Sequence, residues 1–69
     1  MKNKKEIISE MLEHGKEDLV RLGINHAFIE KKHAEEGKTR FIQELAKVQG
    51  EELALTEWIA FLEEEMGKE

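Results

Sequence analysis

Cysteine, proline and tyrosine are absent from these 69 residues, and the aromatic rings amount to one tryptophan and three phenylalanines. Without cysteine there is no disulfide framework and no thiolate metal site, so two common staples of a small domain are missing. Ser9 is the only serine, and no glycine-rich loop resembles a phosphate cradle. Carboxylate neighbours such as Glu35/Glu36 and Glu63/Glu64/Glu65 are what any glutamate-rich helix offers, so they carry no catalytic signal. An enzyme is not expected, and no motif calls for a cofactor. No apolar run approaches the roughly 20 residues of a membrane span. The basic start Met1-Lys2-Asn3-Lys4-Lys5 resembles a targeting segment, but Glu6, Glu10 and Glu13 interrupt what would be its apolar region. The reading is a soluble, cytoplasmic chain without a membrane partner.

The missing proline leaves glycine as the punctuation, at positions 15, 23, 37, 50 and 67. There is no alternating β-branched run and no Asn-Gly or Asp-Gly hairpin turn, so an all-α protein is expected. Hydrophobic and charged residues each make up 39% of the chain, which leaves little apolar material for a self-sufficient core. Chains this short bury only about 60% of the surface they expose when unfolded, so association is the remaining route to stability. A homodimer is therefore expected.

Charge is unevenly spread. Residues 1–50 carry ten Lys/Arg against nine Asp/Glu, whereas residues 51–69 carry Lys68 against seven glutamates. The acidic end is either the solvated face of a last helix or a surface that steers the chain toward a basic partner.

The first apolar stripe, Ile8, Leu12, Leu19 and Leu22, keeps one helical phase through Gly15, all within about 80° at 100° per residue. That predicts one long helix, residues 3–22. Gly23 stands where a left-handed helix stop is favoured, and Asn25 is a good N-cap, with Ile24 and Ile29 at the spacing of a hydrophobic staple. Gly23-Ile24-Asn25 is thus expected to be a tight corner. Beyond it, Ala27, Ala34, Phe41 and Val48 recur every seven residues and Leu45 joins them, the spacing of a coiled-coil-like face. Either this helix runs from 26 to 49 through Gly37, or Gly37 ends it and Thr39 caps a new one; the kept phase favours continuity. Gly50 then breaks the chain, and Leu55, Ile59, Leu62 and Met66 form one face of a last helix, residues 52–66, capped by Thr56 or beginning nearer Glu51. The whole is a single helical domain, 1–69: a long hairpin plus a shorter third helix, bundle-like and completed by dimerisation. Its apolar list is Ile8, Met11, Leu12, Leu19, Leu22, Phe41, Leu45, Val48, Leu55, Ile59 and Leu62.

Trp58 and Phe61 stand off the last stripe. They serve either a wide core arc or an interface, where aromatics are enriched. With Glu57, Glu64 and Glu65 as an acidic rim, they are the candidate partner-binding residues of a small adaptor, inhibitor or regulator. Two other constellations carry chemistry. Residues 16–36 look like the turn of a helix-turn-helix, with Lys31, Lys32 and His33 on the second helix as candidate DNA contacts. Leu19 stands where that motif wants a small residue, Lys32 where it wants an apolar one, and the net charge of −5 opposes nucleic-acid binding. His26, Glu30 and His33 share a helical face and could ligate a divalent metal if a second helix added a ligand such as His14; Lys31 and Lys32 oppose this.

Overall fold

Residues 1–68 are described by a computed structural model, and they form a hairpin of two helices. Helix α1 spans Lys4–Glu36 and α2 spans Thr39–Met66, joined by Gly37 and Lys38 alone. Asn3 opens α1 with its side-chain oxygen accepting from the Glu6 N–H at 2.9 Å, which satisfies one of the donors a helix start leaves free.

Both helices carry the same spacing on their inner faces. On α1 the residues turned inward are Ile8, Leu12, Gly15, Leu19, Leu22, His26, Ile29 and His33; on α2 they are Phe41, Leu45, Val48, Glu52, Leu55, Ile59, Leu62 and Met66. Steps alternate between four and three, so each face follows the seam of a coiled coil. The antiparallel register is visible in cross-helix pairs. Gly15 meets Ile59, and His26 meets Glu52. Near the loop, Ile29, Phe41 and Val48 form a buried cluster with Leu22 and Leu45 packed on it. Towards the open end, Ile8, Gly15, Ile59 and Leu62 are buried.

The expected corner at Gly23-Ile24-Asn25 is not formed, and the expected break at Gly50 is not formed either; both segments are helical. A glycine inside a helix costs about 1 kcal/mol relative to alanine, which is small beside keeping the seam in phase. Leu22, His26 and Ile29 stay on one line only if the helix runs through Gly23, and Val48, Glu52 and Leu55 only if it runs through Gly50. Ile24 and Ile29 are accordingly no staple: Ile24 is 68% exposed and Ile29 is core. The three-helix layout is thereby corrected to two helices.

Gly37 is where the chain does turn. It adopts φ 63°, ψ 23°, the left-handed conformation that favours glycine, and its N–H donates to the His33 carbonyl at 2.7 Å. Lys38 is extended and Thr39 is the first residue of α2, so the second alternative at Gly37 describes the chain, with the cap one residue earlier. The seven-residue line through Ala27 and Ala34 is not a common face. Those alanines are exposed, whereas Phe41 and Val48 are buried, because the turn resets the helical phase.

The hairpin is long and thin, 50 × 16 × 14 Å, with a radius of gyration of 15.8 Å. A compact chain of this length would have about 11 Å. Among the described residues, no helix is long and apolar enough to cross a membrane.

Candidate interaction groove

The antiparallel register leaves a groove along one flank of the hairpin. Its open-end half is lined by Ile7, Ile8 and Met11 from α1 and by Trp58, Phe61 and Leu62 from α2, with Lys4 and Glu65 at its rims. The adjoining stretch is floored by Leu22, Ala54 and Leu55, and Trp58 also lines it; Asp18 and Arg21 stand on one rim and Glu51 on the other. Nearer the loop the same flank is polar, with Asn25, Glu44, Lys47 and Glu51 around the edges of Ile29 and Val48. The flank is thus apolar at the open end and charged at the loop end.

Trp58 and Phe61 are stacked, ring centroids 5.8 Å apart and 24° from parallel. They remain 42% and 49% exposed, so the wide-core alternative does not describe them. Three residues apart on a helix, they present one continuous aromatic surface, and Ile7 and Met11 extend it from the opposite helix. Met11, expected in the core, is a groove wall instead, exposed at 37%. Ile7 carried no signal of its own. Its neighbourhood with Phe61 exists only once α1 and α2 are paired.

The acidic rim is divided. Glu65 stands at the groove, its Oε2 3.0 Å from the Lys68 ammonium. The Lys68 ammonium beside it holds the Glu65 carboxyl below its ordinary range, against a smaller opposing effect of desolvation. Glu57 and Glu64 are exposed, seven residues apart on α2 and on the side away from the seam, and they do not line the groove. The groove's other carboxylates are Asp18, Glu44 and Glu51.

The remaining candidates fall elsewhere. Residues 16–36 lie within one uninterrupted helix, so the turn that a helix-turn-helix needs is missing there. Lys31 and Lys32 reach back toward Glu35 at 4.0 and 3.9 Å, and His33 is turned into the seam. His26, Glu30 and His33 do not assemble into a metal cage. His26 Nδ1 is hydrogen-bonded to Glu52 at 2.6 Å. Its Nε2 lies 2.8 Å from Glu30 Oε1, but without the alignment of a hydrogen bond. His33 Nδ1 is enclosed without a hydrogen-bond partner among the described residues. His14, the suggested additional ligand, is exposed, and among the described residues no three His, Cys, Asp or Glu side chains are grouped to hold a metal.

No family model, no curated protein and no solved structure matches this chain. The groove therefore has to be read from its own chemistry.

Proposed function

We propose that this protein is a noncatalytic protein–protein interaction module, a small adaptor, inhibitor or regulator, that works by laying the Trp58/Phe61 flank against another helical surface. One observation carries the reading: the stacked, solvent-open pair Trp58–Phe61 is continuous with Ile7 and Met11 across the groove. Large aromatics with an aliphatic border make the anchor type that dominates binding energy at interfaces, and charged rims set orientation more than affinity. The groove is open along its length, which suits a helix better than a small molecule enclosed from water. Dimerisation through this flank belongs to the same proposal.

A photo-crosslinking residue placed at 61, and in a parallel sample at Glu57, tests it inside the source cell. The expected outcome is one defined adduct from position 61 and none from position 57, its protein component identified by mass spectrometry. The purified pair should then bind, and Trp58→Ala should weaken that binding while Glu57→Gln leaves it unchanged. Equal labelling from both positions, or binding that ignores Trp58→Ala, defeats the reading.

A further inference from the structure

The groove can be assigned an occupant. We propose that it is filled by a second copy of this chain, the two hairpins lying face to face as a four-helix bundle with both Gly37 loops at the same end. This rests on the reading of the Trp58/Phe61 flank as an interface and adds the partner, the symmetry axis and the rim contacts.

Area is the first argument. The hairpin exposes 5357 Å². A compact monomer of the same mass would expose about 4,500 Å² by the usual scaling of surface with mass. The surplus, roughly 900 Å², is close to the ~800 Å² per partner of a standard stable interface. For a chain under about 70–80 residues with no disulfide, association is one of the established ways to supply the missing core.

Symmetry is the second argument. Two identical hairpins in face-to-face contact have a two-fold axis that runs either across them or along them. An axis across them sets α1 on α1 and sends the loops to opposite ends. Full overlap would then place the apolar half, Ile7, Met11, Trp58 and Phe61, on the charged loop half of the other copy. An axis along their length sets α1 on α2, loop beside loop, and each half meets its like.

Charge is the third argument, and it favours the same choice. Lys4 and Glu65 share one level of the hairpin, and Arg21 and Glu51 share another, because each pair lines the same stretch of groove. With the axis lengthwise, Lys4 of each copy comes level with Glu65 of the other, and Arg21 with Glu51. Two Lys4–Glu65 pairs then flank one end of the apolar centre; at the other end Arg21 meets Glu51 with Asp18, its own ion-pair partner at 2.8 Å, alongside. With the axis across, the glutamate-bearing rims of the two α2 helices face one another. Val20, Ile24, Phe28, Ile42 and Leu53 are also exposed, but they line no part of this groove.

The cysteine-free sequence makes the orientation measurable. Lys38→Cys introduces one thiol at the loop, and Trp58 is the only tryptophan. At micromolar concentration the protein should sediment as a dimer. Lys38→Cys should form an interchain disulfide or a pyrene excimer, and Trp58 emission should move to the red on dilution. Each interface holds Phe61 twice, so a hot-spot loss of roughly 30-fold per copy predicts about a thousandfold weaker dimerisation for Phe61→Ala. Ile7→Lys should give a helical monomer should Phe61→Ala compromise folding, while Ile24→Lys should leave the dimer intact.

A monomer at these concentrations overturns self-pairing, and leaves the crosslinking experiment above to decide whether another protein uses the flank. A dimer that withstands both Phe61→Ala and Ile7→Lys overturns the assignment of this groove. Loop labels separated by a distance near the 50 Å length of the hairpin overturn the lengthwise axis.

Discussion

Gly15 of α1 lies directly against Ile59 of α2: a Cβ on Gly15 would stand 3.2 Å from Ile59 Cγ1. The missing side chain is what lets the helices approach at that level. A small residue opposite a large one is a common way to interdigitate two helical faces.

Enlarging Gly15 should therefore splay the open end. Gly15→Val is expected to destabilise by about 1–3 kcal/mol, the usual cost of overpacking. Ile59→Ala alone should cost about 2–5 kcal/mol, as large-to-small core changes do. The double variant should lose less than the sum, because the truncated residue 59 makes room for the new side chain. Strict additivity in thermal or urea denaturation would show that the contact is not formed.

Gly23 and Gly50 are different. A Cβ on either would meet nothing within 4 Å among the described residues, and neither has a positive φ. Gly23→Ala and Gly50→Ala should each stabilise the hairpin by about 1 kcal/mol, the helix-propensity difference. Gly37→Ala should destabilise it by a similar amount, because its φ of 63° is strained for alanine. A destabilising Gly23→Ala would revive the corner that the sequence suggests.

His26 and Glu52 form a polar layer between the loop-end and open-end parts of the seam, with side chains 20% and 27% exposed. Joint replacement by leucine should raise stability by about 1–4 kcal/mol, the gain expected when a partly buried polar pair gives way to apolar packing. Glu52→Leu alone should gain less or lose, since His26 Nδ1 would lose its partner. We expect the polar layer to fix the register of the two helices. Spin labels across the seam should report one distance in the native protein and a broader distribution in the double leucine variant. An equally narrow distribution would mean that apolar packing alone sets the register.

Phe61→Ala should leave monomer helicity unchanged, because the ring is half exposed and stacks on the equally open Trp58. Far-ultraviolet circular dichroism checks this under conditions that populate the monomer. A loss of helicity there would place Phe61 in the core rather than at an interface.

Much of the architecture follows from local pattern. The all-helical class, the continuity of the first stripe through Gly15 and most of the seam residues are helical-phase statements, and phase is a property of the chain alone. What local pattern cannot decide is which glycine ends a helix. Gly23, Gly37 and Gly50 carry similar intrinsic penalties, and Asn25 makes position 23 look like the best stop. The outcome depends on which break keeps both inner faces in register. Only a turn at Gly37 leaves two faces of nearly equal length, each long enough to cover the other.

The groove is still less local. Trp58 and Phe61 are adjacent on one helix, so their departure from the core stripe is legible. Ile7 and Met11 stand some fifty residues away in sequence and join them only through the antiparallel pairing. Glu57 and Glu64 lie near Phe61 in sequence yet face away from the groove, because a helix turns neighbours to different sides. Residue order determined the stripes and their spacing; the packing of one helix on the other decided where the chain turns and which side chains share a surface, since burial rewards the pair of faces and not either face alone.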